Sequence, residues 1–189
     1  MARGDKKEER EKAERETRRR LAQAQIRQFP DPVLRSETRP ILEFDEELTA
    51  LSLRMCELAD DAVGAGLAAP QIGLLRKFVV ISLRDDEPWL AMANPEILQA
   101  SEGTEVGGEG CLSLDILLRS GHSVPVERNI EITVRWQDVE GETHEEVFRD
   151  MDARIVQHEL DHLNGILTVD RATPEERRSA LRILRERIT

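Results

Sequence analysis

The 189-residue chain is short of several things, and each shortage narrows its reading. Nowhere does it hold a run approaching eighteen apolar residues, so no segment is written to cross a membrane as a helix. Its only cysteines, Cys56 and Cys111, are too few for a disulfide framework. The start of the chain lacks the apolar core of a secretory leader, and acids from Asp5 to Glu16 argue against a mitochondrial transit peptide. A soluble, cytoplasmic protein is therefore expected, in a reducing setting where a cysteine is free to act as a thiolate ligand. Internal repeats are missing as well, and the length suits one globular domain.

Positive charge is scarce. The formal charge is −11, and residues 1–20 hold nine of the 27 basic and six of the 38 acidic residues, which leaves −14 for the remainder. A body that acidic repels nucleic acid phosphates, so DNA is excluded as a partner. Residues 171–189 run the other way, with Arg171, Arg177, Arg178, Arg182, Arg185 and Arg187 against Glu175, Glu176 and Glu186. That tail reads either as a solvated helix face or as a docking surface for something anionic.

Residues 1–25 mix Glu, Lys and Arg with almost no apolar stripe before Leu21, and are expected to form a disordered or loosely helical extension. A single domain should then occupy 26–189. From Glu46, residues Leu48, Leu51, Met55, Leu58 and Ala62 recur at helical spacing, with Gly64 as the stop. Cys56 beside this stripe reads as a small core residue. Short β-prone runs follow at Phe78–Leu83, Trp89–Ala93, Ile130–Trp136 and Glu145–Phe148, separated by turns such as Arg84-Asp85-Asp86 and Glu140-Gly141-Glu142. Their connections are too short for repeated crossover helices, so antiparallel pairing is expected. A helix should run from Asp152 to Leu163 and close at Gly165. Another should open at Thr173-Pro174 and run to 188, with Leu181, Leu184 and Ile188 on one face. The fold class is α+β: mostly antiparallel β-sheets surrounding a central helix, with an N-terminal and a C-terminal helix.

The strongest chemical signal is His158-Glu159-Leu160-Asp161-His162. Two imidazoles four residues apart share one helix face and can reach one metal ion, and a Glu after the first His can lie beside the ion's open position as a base. The plainer alternative is a surface helix with solvated histidines, but Leu160 and Leu163 mark this face as core-directed, where unpaired imidazoles are costly. Such a site needs a third protein ligand. The long zinc-protease pattern fails, because Thr168 stands where its third His would be. Glu175 or Glu176 could serve as in other metalloproteases, yet both sit in the first turn of a helix that favours carboxylates anyway. Cys111 remains, and a lone Cys is more often a small buried hydrophobe. Here Gly107, Gly108 and Gly110 permit close approach around it, and the empty ligand position favours a ligand. A third segment, Gly64-Ala65-Gly66-Leu67-Ala68-Ala69-Pro70-Gln71, leaves backbone groups open to an added peptide strand, although tight helix–strand packing explains it as well.

Taken together and in this order, Gly64–Gln71, Glu109–Ser113 and His158–His162 resemble the three signature motifs of the bacterial peptide deformylases, and the similarity runs from about Ile26 to the C-terminus. The resemblance implies a metal-dependent hydrolase that removes the formyl group from the N-terminal formyl-Met of nascent polypeptides and releases formate. It implies one divalent metal held by Cys111, His158 and His162: Fe²⁺ in the native state, Zn²⁺ or Ni²⁺ as purified. Glu159 would serve as general base and then acid as hydroxide attacks, with Gln71 and the Leu112 backbone N–H meeting the charge on the formyl oxygen. The substrate would run along Gly64, Gly66 and Leu67, with its Met side chain near Ile155. Arg119 is the nearest match to a substrate-contacting arginine, although its loop is about one residue longer than usual and Asp115 replaces a customary Pro. The C-terminal helix implies docking on the ribosome, and a monomer is expected. Two rivals stand beside this reading: an endopeptidase with a Glu ligand, and a peptide-binding module around a structural metal.

Overall fold

A computed structural model of the chain describes residues 3–84 and 87–186. Helix α1 (Arg3–Gln23) leads through a 3-10 turn at Pro32–Arg35 to α2 (Glu46–Asp61). Strands β1 (Gly66–Ala68), β2 (Phe78–Ile81), β3 (Leu90–Ala100) and β4 (Thr104–Glu109) follow, then the short helix α3 (Asp115–Arg119). Next come β5 (Val124–Asn129), β6 (Glu131–Gln137), β7 (Thr143–Arg149) and the helices α4 (Asp150–Leu163), α5 (Thr168–Arg171) and α6 (Pro174–Glu186). A five-stranded sheet runs β1-β2-β3-β6-β7 and a two-stranded one pairs β4 with β5, and every one of these pairings is antiparallel. This is the expected α+β arrangement. Among the described residues no helix is long and apolar enough to cross a membrane.

Three apolar clusters hold the layers. Helix α4 lays Ala153, Val156, Leu160 and Leu163 against Val79, Ile81, Met92, Ile132 and Val134 of the larger sheet. Helix α2, whose first turn is capped by the Asp45 carboxylate accepting the Leu48 N–H at 3.0 Å, buries Leu48, Met55 and Leu58 against Leu67, Phe78 and Val80. Helix α6 seats Ala180 and Leu184 among Leu117, Val124, Val126 and Leu167. Its buried positions are Ala180 and Leu184, with Leu181 half-buried, and Ile188 and Arg187 lie outside the described residues.

The last turn of α1 enters the core through Ala22. Several other elements differ from the sequence expectation. Strand β3 runs seven residues beyond Ala93. Strands β4 and β5 fall outside the β-prone runs because Gly107 and Gly108 in one and Pro125 in the other are poor strand formers, yet Gly108 and Pro125 face each other in register. Helix α2 is not stopped by a left-handed Gly64. The positive φ falls on Val63, at 61°, a strained conformation for a β-branched residue. Gly64 is needed for a different reason, since a Cβ there would lie 2.7 Å from Leu112 Cδ1. Gly165 does close α4, with φ 68°. Of the turn at Arg84-Asp85-Asp86, Asp85 and Asp86 lie outside the described residues.

Candidate metal centre

The helical repeat of α4 sets His158 and His162 one turn apart, with ring centroids 5.1 Å from each other. Cys111 follows the end of β4 in extended backbone, which aims its side chain at the same helix face. Its Sγ lies 3.3 Å from His162 Nε2, and the three potential ligand atoms all fall within 4.8 Å of one another. Tetrahedral bonds of about 2.0–2.3 Å put neighbouring ligands about 3.5 Å apart. The donor set therefore fits one borderline-soft divalent cation.

The electrostatics agree. Burial pushes the Cys111 thiol up, but the charges and hydrogen bonds of His162 and His158 more than offset it and hold the thiol at about 5. Burial pulls His158 down, and its bonds to Cys111 and Glu109 outweigh that and raise it well above the usual imidazole range. A thiolate facing protonated imidazole is a pair in which a metal ion can take the place of the protons.

Glu109 organises what lies behind the ligands. Its Oε2 accepts from His158 Nδ1 at 2.9 Å and from Arg128 Nη2 at 3.0 Å. Its Oε1 accepts from Arg128 Nε at 2.9 Å and Arg154 Nη1 at 3.0 Å. The bond to Nδ1 leaves His158 Nε2 for a metal, a carboxylate–histidine arrangement that fixes tautomer and ring orientation. Burial raises the Glu109 carboxyl, whereas its bonds from His158 and Arg128 pull it down to about 2. Arg128 goes on to Asp161 Oδ2 at 2.6 Å, and Asp161 Oδ1 also accepts from Arg171 Nη2 at 2.6 Å. Arg171, although exposed, is thus tied to Asp161 and is not part of a free basic tail.

A cavity of about 250 Å³ opens beside the ligands. Of the residues singled out from sequence, Gly64, Gly66, Gln71, Cys111, Leu112, Ile155, His158 and Glu159 line it, and His162, 1% exposed, sits behind it. Leu67 is fully buried in the α2 core instead. Arg119 is exposed, paired with Asp115 and outside the cavity. Glu159 is 4% exposed, and its Oε2 has no hydrogen-bond partner among the described residues. Burial raises its pKa. Gly66 makes room for it, since a Cβ there would lie 2.5 Å from Glu159 Oε1. Gln71 Oε1 accepts from the Ala68 N–H at 2.8 Å, which turns Nε2 toward Ser113 Oγ at 3.2 Å and Cys111 Sγ at 3.8 Å.

Sequence reasoning missed Val63, Leu118 and Met151 on the cavity wall, and Glu109, Arg128, Arg154 and Asp161 behind the ligands. Arg154 stood one helical turn before His158, and Glu109 and Asp161 lay inside motifs already singled out. Arg128 carried no local signal at all.

A buried helix that offers two imidazoles, a strand end that offers a thiolate and a carboxylate with an unpartnered oxygen on the wall of the same cavity define a metallohydrolase centre. Comparison with known proteins gives the family. A family model described as polypeptide deformylase matches residues 23–178. The peptide deformylase of Thermotoga neapolitana is 43% identical over 152 residues, which cover 80% of this chain and 88% of that protein. That of Desulfotalea psychrophila is 46% identical over 154 residues, covering 79% and 88%. Crystal structures of the enzymes from Thermotoga maritima and Legionella pneumophila superpose with TM-scores of 0.72 and 0.77 at 42% and 37% identity. They cover 79% and 85% of this chain and 97% and 92% of theirs. The chain belongs to the polypeptide deformylase family.

If Glu109 orients His158, Glu109→Gln should weaken zinc binding by about 10–100-fold in equilibrium dialysis, and undiminished affinity would refute that role. Because folding depresses this carboxyl, its contribution to stability is complete above the ordinary value of 4.5 and fades as pH falls toward about 2. The variant should accordingly show a shallower loss of stability on acidification over that window in urea titrations.

Proposed function

We propose that the chain is a peptide deformylase that hydrolyses the formyl group from the N-terminal formyl-Met of nascent polypeptides and releases formate. One observation carries the reading: Cys111 and His158, on the wall of a cavity, converge with His162 behind it, and Glu159 on the same wall holds the one fully buried carboxylate oxygen without a partner among the described residues. Those three residues would hold one divalent cation, with Fe²⁺ as the resident ion and Zn²⁺ or Ni²⁺ as substitutes, since a soft thiolate suits all three. When bound, such a cation would supply Lewis acidity and lower the pKa of a water towards about 7.

The remaining work falls to the chain. Glu159 accepts the proton of the attacking water and delivers one to the departing α-amine. The Gln71 amide and the Leu112 N–H meet the negative charge that grows on the formyl oxygen. Strand β1 ends the larger sheet with β2 as its one partner among the described strands, and Gly64 and Gly66 lie on the cavity wall where the substrate backbone would run, with Ile155 on the same wall for the Met side chain. Arg119, held by Asp115 away from the cavity, is given no part.

Formate release from a formyl-Met peptide tests this. Wild-type protein should turn over, Glu159→Ala should lose activity with its metal retained, and Gln71→Leu should fold and run about 10²–10³-fold slower. Cys111→Ala should lose the metal, whereas an endopeptidase with a Glu ligand would keep it. A wild-type chain that releases no formate ends the reading.

A cytoplasmic monomer acting at the ribosome is consistent with this substrate. Arg178, Arg182 and Arg185 stand exposed on α6 while Ala180 and Leu184 anchor it, so reversing the three charges tests docking without uncovering the core. Cosedimentation with ribosomes should weaken and become less sensitive to salt; unaltered cosedimentation would argue against docking through α6.

A further inference from the structure

The segment from Gln23 to Phe29 precedes all three motifs, yet it is bonded to the loops that carry both oxyanion donors. The Gln23 Nε2 donates to the Leu112 carbonyl at 2.6 Å, and Gln28 Nε2 donates to the same oxygen at 2.9 Å. Both lone pairs of that carbonyl are therefore occupied by side-chain amides. The amide orientations are fixed by their partners. Gln28 Oε1 accepts the Asp115 N–H at 3.2 Å, so its NH₂ must face Leu112, and Gln23 meets a carbonyl that only an NH₂ can satisfy.

The backbone of the same segment completes the brace. The Phe29 N–H donates to the Ser113 carbonyl at 3.0 Å, and the Arg27 N–H donates to the Gln71 carbonyl at 2.7 Å. One stretch of seven residues thus spans from the Gln71 turn to the turn that follows Cys111. Leu112 is held on one side by Cys111, whose carbonyl accepts the Leu114 N–H at 2.9 Å, and on the other by the two glutamines. Its φ and ψ have little freedom left.

We propose that Gln23 and Gln28 are positioning residues for deformylation: together they clamp the Leu112 carbonyl and so fix the Leu112 N–H that faces the formyl oxygen. The inference rests on the deformylase reading above. Charge stabilisation by a backbone donor depends on its being in place before charge develops, and small displacements of such groups cost large factors in rate. Two donors on one acceptor also make the clamp redundant. Either glutamine alone retains a hold on the carbonyl, and the loss of both releases it.

The test uses the full-length zinc-loaded chain, with Gln23→Met, Gln28→Met and the double variant. The readouts are formate release from a formyl-Met peptide, bound zinc, the thermal midpoint, and the Leu112 amide resonance of ¹⁵N-labelled protein. Each single variant should lose little, and the double should lose about tenfold or more in kcat, beyond the product of the singles, with KM and zinc content unchanged. The Leu112 resonance should shift or broaden in the double variant. Gln23→Lys placed in the Gln28→Met background restores a donor and should recover most of the rate. A double variant with wild-type kcat overturns the proposal, as does a loss that only tracks folded fraction or zinc content, a lysine that recovers nothing, or an unmoved Leu112 resonance. If the wild type itself releases no formate, the deformylase reading fails, and the Leu112 resonance still decides whether the clamp exists.

Discussion

A thiolate and two imidazoles are held in one buried place, and most of the surrounding structure can be derived from that constraint. Groups of this kind are expensive to desolvate unless each is bonded or shares a cation. The fold meets the demand by putting the imidazoles on the helix that both sheets enclose and by ending β4 where Cys111 can reach them. Glu109 then takes up the outer nitrogen of His158 and is itself held by Arg128 and Arg154. Removing one member of such a buried network leaves an uncompensated charge, at a cost of about 3–5 kcal/mol. Position and charge are thereby tied together, since the residues that neutralise the centre also aim it.

The two histidines are not equivalent. His158 hands its outer nitrogen to Glu109, whereas His162 Nδ1 has no partner among the described residues and the ring's polar contact is that of Nε2 with Cys111 Sγ. Glu159 is a third case, its Oε2 fully buried without a partner among the described residues. A fold that leaves a carboxylate oxygen unsatisfied beside a metal-competent cluster sacrifices stability where chemistry needs an acceptor. The strained Val63 at the cavity rim belongs to the same pattern.

How much of this was legible in the sequence depended on whether the signal was local. The helices of 46–62 and 152–163 were visible from spacing, and the metal ligands from residue chemistry within short motifs. The extent of β4 and the whole of β5 were hard to read because their glycines and proline speak against a strand, while cross-strand register and the packing of Arg154 against Gly107 make them one. Arg128 was invisible because its partners Glu109 and Asp161 lie 19 and 33 residues away. The glutamines at 23 and 28 were overlooked for the same reason: an amide side chain announces nothing until the loop 84 residues or more further along is folded against it. Gly64 shows a subtler failure. Its presence was read as a helix stop, but the left-handed residue is Val63, and Gly64 is required instead by the side chain of Leu112.

The central claim is that one sulfur and two ring nitrogens of this chain bind a single ion. X-ray absorption at the zinc edge of the zinc-loaded protein measures that shell directly. The account predicts one sulfur neighbour at about 2.3 Å and two imidazole nitrogens at about 2.0–2.1 Å, with a light atom from solvent completing four. A shell without sulfur, or one filled by four protein ligands, would contradict it.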